Sequence, residues 1–501
     1  MADHREIEQT YAPGPDARLP ELTDLPGVSE LGDPRVDVLE AVYFDTADLA
    51  LTRAGVTLRR RTGGADEGWH LKIPADLGRD EIRVGLRRAR HHPPADLRRH
   101  VVAWTRNAPL APVATIRTRR TRRDLVAGDG TVLAELADDE VTGTPEGASG
   151  PVEWREWELE LVDAGPELLS AADELMAGVG VLPDEVQRKI VRVLGARFAE
   201  TSLPEVGRDL PAGRVLERRL MRQIAELKRC DSQMRRHRDE GVHHARVACR
   251  RLRSALATFR PLVDREVTDP LRDEIQWLGR ALADARDSRV VRERLRKMID
   301  EEPDDAVVGP VLSRLDTTFD ERARAAWRLV DETLTSERYL ALLTALDRLL
   351  AQPPWTDKAG LPAEEVLPKR VRKEWRRLKR RMAAVEEAED RDAELHEVRK
   401  DAKRLRYAAE AVHTVWGKDA KRLAKAAKLL TSHLGERQDT VMSRPGLLEI
   451  AADADEAGES SVTWGVLLVR EEERAAELDA ALPDLWQKVS RKKLRRWLQS
   501  A

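Results

Sequence analysis

Residues Val242–Arg253 read VHHARVACRRLR, and residues Leu395–Tyr407 read LHEVRKDAKRLRY. The two stretches share one pattern. His243, Arg246, Arg250 and Arg253 follow offsets of +3, +7 and +10, as do His396, Arg399, Lys403 and Arg406, and each copy has a further arginine at +8, Arg251 and Arg404. At 3.6 residues per turn these offsets fall on one helix face. An apolar stripe precedes each basic position by one residue: Val242, Ala245, Cys249 and Leu252 in the first copy, Leu395, Val398, Ala402 and Leu405 in the second. Each stretch therefore predicts a helix with one face to bury and one face crowded with positive charge.

The surroundings repeat as well. Leu278, Leu282 and Asp287 recur as Leu430, Leu434 and Asp439, shifted by 152, while the histidines are shifted by 153. A near-constant shift over separate elements predicts a duplicated helical unit. From about Arg214 the periodicity is helical to the end, with Pro270, Pro303, Pro310, Pro353, Pro362 and Pro368 as breaks. Between the halves, Lys369–Arg381 (KRVRKEWRRLKRR) holds nine basic residues and one Glu.

At 501 residues the chain is too long for a single core. Charged residues make up 35% and aromatics 4%, which favours charge-laced helices over an aromatic-rich β-protein. The net charge of -3 argues against a general nucleic-acid binder, so anion binding has to come from local clustering. Cys230 and Cys249 are the only cysteines, which gives no disulfide framework or zinc signature. No stretch approaches the roughly 18 apolar residues of a membrane span, and MADHREIEQT has no apolar signal core. A cytoplasmic protein with no membrane partner is the expectation.

Residues 1 to about 200 read differently. Short runs at Ala41–Phe44, Val56–Arg61, Trp69–Ile73, Ala114–Arg119 and Trp157–Val162 predict strands, with helices at Pro34–Leu39 and Pro166–Val179. Several strands carry one charged and one apolar face. Glu6 and Glu8, Arg59 and Arg61, Arg117 and Arg119, and Glu156, Glu158 and Glu160 each alternate along a strand. A closed barrel with a polar lumen explains such faces. Acidic strands suit an oxygen-ligated divalent metal and basic strands suit phosphates, a division that fits metal-assisted phosphoryl chemistry. The expected fold is α+β in two domains: an antiparallel β-barrel tunnel over residues 1–203, a Pro/Gly-rich linker at 204–213, and an all-α duplicated four-helix-bundle domain over 214–501.

This N-terminal region resembles the CYTH family, the triphosphate tunnel metalloenzymes. Glu6 and Glu8 match the family's E-x-E-x-K opening, with Thr10 where the lysine is expected. Tyr43–Thr46 (YFDT) is similar to its Y-Y/F-D-T element, Leu58–Arg61 to its L-R-x-R, and Trp69–Lys72 to its aromatic-to-lysine strand. The resemblance implies hydrolysis of a triphosphate with Mg²⁺ or Mn²⁺. Glu6, Glu8, Glu158 and Glu160 would hold metal. Arg59, Arg61, Lys72, Arg117, Arg119 and Lys189 would bind phosphates, and Glu81 is a further acidic candidate. No residue stands out as a separate catalytic base, and adenylate cyclase chemistry also occurs in that family.

The helical region resembles the CHAD domain, on VHHARVACRRLR, LHEVRKDAKRLRY, ARDSRV (Ala285–Val290) and LGERQDT (Leu434–Thr440). The resemblance implies inorganic polyphosphate as a partner, bound by His243, Arg246, Arg250, Arg251, Arg253, His396, Arg399, Lys403, Arg404 and Arg406, and association with polyphosphate granules. His244 is a neighbour of the motif histidine and is expected to matter less. The reading as a whole is a metal-dependent triphosphatase with a polyphosphate-binding domain. The alternative is a non-catalytic polyphosphate binder with a degenerate tunnel, which Thr10 favours. Nucleic-acid binding through Lys369–Arg381 is disfavoured by the scarcity of aromatics for base stacking.

Overall fold

The computed structural model of the protein describes residues 2–14, 16–75, 78–86, 91–147, 150–184, 188–198 and 202–499, with the backbone alone for residues 2–6. The chain divides into two compact units, Met1–Ser202 and Leu203–Ala501.

The first unit is a curled antiparallel sheet. Its strands are β1 (Ala2–Glu6), β2 (Glu8–Tyr11), β3 (Glu30–Leu31), β4 (Arg35–Asp45), β5 (Thr57–Thr62), β6 (Gly68–Pro74), β7 (Arg79–Val84), β8 (Ala111–Val126), β9 (Val132–Pro145) and β10 (Val152–Leu161). Their order is β1-β7-β6-β5-β4-β8-β9-β10-β2, with β3 beside β8. The edge strands β1 and β2 are separated by Ile7 alone, so one N-terminal segment pairs with both ends of the sheet and curls it into a tunnel. Short helices α1 (Ala50–Arg53), α2 (Ala95–Arg98) and α3 (Val102–Thr105) decorate the loops. Helix α4 (Glu167–Gly178) covers the outer face, where its Leu168, Ala172 and Met176 pack with Leu125, Leu136, Trp157 and Leu159. Helix α5 (Lys189–Leu194) packs Ile190, Val193 and Leu194 against Ala41, Tyr43, Ile116 and Val141.

The strands expected at 41–44, 56–61, 69–73, 114–119 and 157–162 fall within or against β4, β5, β6, β8 and β10. The helix expected at Pro34–Leu39 does not form, because Arg35–Leu39 opens β4 and pairs along β8 from Arg35↔Arg122 onward. In V-D-V-L the alternation of period two outweighs the proline start signal. Asp45, in YFDT, is 1% exposed. Its carboxylate accepts the backbone N–H of Thr46, Leu51 and Thr52 and the Thr52 hydroxyl at 2.6–2.9 Å. It thereby fixes the turn into α1, a structural task.

The second unit is helical: α6 (Ala212–Met234), α7 (Asp239–Thr258), α8 (Arg265–Ala281), α9 (Ala283–Glu301), α10 (Val311–Thr335), α11 (Glu337–Ala351), α12 (Ala363–Ala384), α13 (Arg391–Glu456) and α14 (Val462–Val489). Among the described residues no helix is long and apolar enough to cross a membrane. The 66-residue α13 bends at Gly417, whose φ of 51° is a conformation that glycine adopts without a Cβ clash. Pro303, Pro310, Pro353 and Pro362 separate helices as expected, but Pro270 and Pro368 lie inside α8 and α12. Both stand near the helix start, where few backbone hydrogen bonds are lost. The predicted stripes are buried in full: Val242, Ala245, Cys249 and Leu252 are at most 1% exposed, and Leu395, Val398, Ala402 and Leu405 at most 4%. Their burial seats α7 against α6 and α8, and α13 against α12 and α14, with α7 and the first half of α13 in mutual contact.

Candidate functional site

The tunnel encloses a cavity of about 390 Å³. Strand alternation decides what enters it. Tyr43 of β4, Thr57, Arg59 and Arg61 of β5, Lys72 of β6, Arg79 and Arg83 of β7, Arg120 and Arg122 of β8, and Glu158 and Glu160 of β10 all face it, with Glu8 of β2. The cations do not stand in isolation. Arg59 donates to the Tyr43 hydroxyl at 3.3 Å. Burial opposes ionisation of that phenol, but Arg59 together with Lys189 and Arg61 more than offsets it and holds Tyr43 below its ordinary value. Arg61 pairs with Asp66, and burial followed by the neighbouring Arg59 and Arg120 brings it down to about 10.

Asp139, Glu156 and Glu158 place one carboxylate oxygen each within 4.8 Å of one another. Register explains the meeting, since Glu156 pairs with Asp139 across β10 and β9, and Glu158 follows on the same face. Into this triangle comes Lys189 from the first turn of α5, with Nζ 2.7 Å from Asp139, 2.6 Å from Glu156 and 2.9 Å from Glu158. Arg120 reaches both Asp139, at 2.6 Å, and Glu158. Burial disfavours the Lys189 ammonium, yet the three carboxylates overcome it and hold its pKa well above the ordinary lysine value. Glu158 is likewise held low, against burial, by Lys189 and Arg120, whereas burial wins at Glu156 and raises it. The donor set is all carboxylate oxygen, which suits a hard divalent cation. The ammonium stands where the three carboxylates converge.

The expected site residues separate as follows. Arg59, Arg61, Lys72, Lys189, Glu8, Glu158 and Glu160 line the cavity. Glu8 lies opposite Glu160 in the β2–β10 register, and Arg79 approaches Glu8 at 3.5 Å. Glu6 ends β1 opposite Arg79, and its side chain lies outside the described residues. Glu81 is fully buried and accepts from His70 at 2.8 Å and from Arg83. Arg117 and Arg119 need correction. They project from the outer face of β8, 73% and 55% exposed at the side chain, toward Glu40 and Glu140. Arg120 and Arg122 take the lumen instead. The apolar Ile116 misleads here, since it faces the lumen beneath α5 and makes that face read as an exterior. The usable signal was Leu125, which is buried under α4 and shares its face with Arg119 and Arg117. Asp139 was missed because one acid in ADDE gives no sign of which member faces inward.

In the helical unit the two motif faces meet. Lys403 lies within the fields of Arg399, Arg250 and Arg246, and burial together with these cations brings it down to about 7. Burial likewise lowers Arg399, whose guanidinium lies against Gly435, so that a Cβ there would come within 3.0 Å of it. The duplicated aspartates are the counter-charges. Arg246 pairs with Asp287 at 2.8 Å, and Arg399 feels Asp439. The histidines differ. Burial and the neighbouring Arg286 bring His243 down to about 4, whereas His396 shares a 3.0 Å hydrogen bond with Gln438, which occupies the position corresponding to Arg286. The remaining motif arginines lie apart: Arg253 near Arg404 and Arg272, and Arg251 and Arg406 around Glu410 at 3.5 and 2.7 Å. His244 turns toward Glu226, at 4.0 Å.

Comparison with known families matches the chain to two domain models, a CYTH domain over residues 5–186 and a CHAD domain over residues 186–448. Two uncharacterized proteins from two strains of Mycobacterium tuberculosis are each 34% identical over 97% of this chain and 97% of their own length. Among solved structures, the CHAD domain from the plant Ricinus communis is 27% identical with a TM-score of 0.46, covering 58% of this chain and 97% of its own. PptA from Streptomyces chartreusis is 23% identical with a TM-score of 0.46, covering 55% of this chain and 99% of its own. The chain belongs to the family of proteins that join a CYTH tunnel domain to a CHAD helical domain.

Proposed function

We propose that the protein is a divalent-metal-dependent triphosphatase, acting on inorganic triphosphate or a related triphosphate, whose helical domain binds inorganic polyphosphate. One observation carries the reading. A single cavity has Arg59, Arg61, Lys72 and Arg122 on its walls and the Asp139–Glu156–Glu158 triangle beside them. Phosphoryl transfer asks a protein chiefly for positioning and for charge neutralisation around the anhydride oxygens.

The arginines present planar forks that match pairs of non-bridging oxygens, and Lys72 adds a point charge. Mg²⁺ or Mn²⁺ held by Asp139, Glu156 and Glu158, with Glu8 and Glu160 close by, would supply further neutralisation and a water of lowered pKa. Lys189 then exchanges carboxylate partners for phosphate oxygens, keeping its charge compensated in either state. Thr10, the departure from the motif, lies opposite Glu158 in register. Arg120 and Lys189 already contact Glu158, so two other elements supply the positive charge that Thr10 lacks. In the helical unit, Arg246, Arg250, Arg399 and Lys403 form a cluster suited to successive phosphates of a linear chain. The protein is proposed to act in the cytoplasm, with polyphosphate granules as the place where that chain is met.

The test is phosphate release from tripolyphosphate, ATP and thiamine triphosphate, with and without Mn²⁺. A metal-dependent preference for one of them is expected. A second reading, binding without hydrolysis, is favoured by Lys189 standing inside the acidic triangle. It predicts salt-sensitive polyphosphate binding with no release from any of the three.

A further inference from the structure

Beside the motif cluster, the helical unit holds a groove of about 810 Å³ walled by α8, α12 and the turn after α7. Its lining includes Arg260, Arg272, Arg370, Lys373, Arg377 and Arg404, against Glu374 and Glu394. The basic run of α12 is therefore a groove wall. Part of its charge is already used: Asp269 takes Arg260 and Arg272, and the buried Asp401 takes Arg377 and Arg381 and lies 4.0 Å from Arg404. Among the described residues, Arg370, Lys373 and Arg380 make no ion pair.

The duplication shows how unusual this excess is. On the other side of the motif pair, Glu410 of α13 gathers Arg219, Arg251 and Arg406 at 3.4, 3.5 and 2.7 Å. The shift of 153 that relates the two motifs carries Glu410 onto Ala257 of α7, and Ala257 lines the groove. One half of the duplicated unit thus holds an acid at this position, and the other holds Ala257. The open patch adjoins the central cluster, because Arg253, one turn along α7 from Arg250, lies within the fields of Arg404 and Arg272.

We infer that this groove is a second anion-binding segment, which takes the continuation of an inorganic polyphosphate chain seated on the central cluster. The inference rests on the polyphosphate reading above and adds a length dependence to it. A nucleic acid suits the groove less well. Among the described residues no aromatic side chain lines it, and the one tryptophan of α12, Trp375, is stacked on Trp486 at 5.5 Å and covered by Arg495 at 3.7 Å. Base stacking therefore has no platform there.

The test uses the full chain and measures affinity against salt for chains of about ten and about one hundred phosphates. Ala257→Glu installs the acid that the other half tolerates, and should weaken the long chain about fivefold and reduce the salt slope by about one. The triple change Arg370→Gln, Lys373→Gln, Arg380→Gln should reduce that slope by about three and leave the short chain unaffected. Glu410→Ala, which opens the opposite patch, should tighten the long chain. Long-chain affinity and slope unchanged in both groove variants would overturn the inference, as would equal losses for the two lengths. A single-stranded oligonucleotide that outcompetes polyphosphate and is lost with the same substitutions would assign the groove to nucleic acid and overturn it too. Failure of the polyphosphate reading itself looks different: the short chain then survives Arg399→Ala with Lys403→Ala. Unchanged thermal midpoints confirm that each variant is folded.

Discussion

The tunnel and the helical cluster both gather cations, but they balance them in opposite ways. In the tunnel each strongly held cation has a carboxylate in hand, and Lys189, ringed by three, is a more persistent cation than an ordinary lysine. In the helical cluster burial, and after it the cations Arg399, Arg250 and Arg246, bring Lys403 down to about 7, with Asp439 as its relief. The difference follows from architecture. Strands of a curled sheet alternate basic and acidic faces around one lumen, so opposite charges meet. Two copies of one helix bring like charges together. A charge-balanced lumen is stable without a ligand and is suited to exchanging partners during a reaction. A charge-frustrated helix pair is relieved by an anion, and is suited to holding one.

The largest expected effect breaks the balanced side. Asp139→Asn removes a carboxylate shared by Lys189 and Arg120, and should lower triphosphate turnover on the order of 10³-fold, the scale of deleting a preorganised charge-stabilising group. Asp138→Asn, one residue away but bonded to Arg155 outside the lumen at 2.7 Å, should leave turnover within about twofold. Equal losses in the two variants would mean that strand alternation does not govern the site.

Next in size is the frustrated side. Arg399→Ala with Lys403→Ala should weaken polyphosphate about a hundredfold and lower the salt slope by about two, while the thermal midpoint of the free protein does not fall. A stability loss matching the binding loss would show that these cations hold the fold and not an anion.

A smaller effect is the pH dependence. Lys403 has a folded pKa of about 7, below the unfolded value of about 10.4. Between those values the unfolded chain binds more protons, so the lysine's contribution makes the free protein more stable as pH rises from 7 toward 10. A bound polyanion raises the folded pKa, so binding takes up a proton across this window, and affinity should fall as pH climbs above 7. Titration calorimetry in buffers of different ionisation enthalpy checks the proton uptake, and Lys403→Met should abolish most of it.

The smallest effect compares the histidines. Gln438→Arg gives His396 the neighbour that His243 has in Arg286, and should move the His396 pKa further down. Histidine NMR titration reads the shift, and no movement would mean that burial alone sets both rings.

The helical side was legible because helix periodicity is self-checking: VHHARVACRRLR states the buried and the charged face at once, and its repetition at 395–407 fixes the second copy. The aspartates that meet Arg246 and Arg399 were visible as the repeat of Asp287 and Asp439. Strands were legible as elements, and their facing was legible for Arg59, Arg61, Lys72, Glu158 and Glu160 but not along β8. A tunnel has two polar environments, and Ile116 beneath α5 made the lumen of β8 resemble an exterior. Arg117 and Arg119 were therefore expected where Arg120 and Arg122 stand. Asp139 becomes recognisable only once β9 is paired to β10, because the meaning of its carboxylate lies in Glu156 across the ladder.

The most direct measurement is the time course of orthophosphate release from tripolyphosphate by the whole chain, with Mn²⁺ present and with it chelated. Steady, metal-dependent release is the result expected of the triphosphatase proposed above. No release above the protein-free rate under either condition, with tripolyphosphate shown to bind, would contradict it and leave the tunnel a binding site.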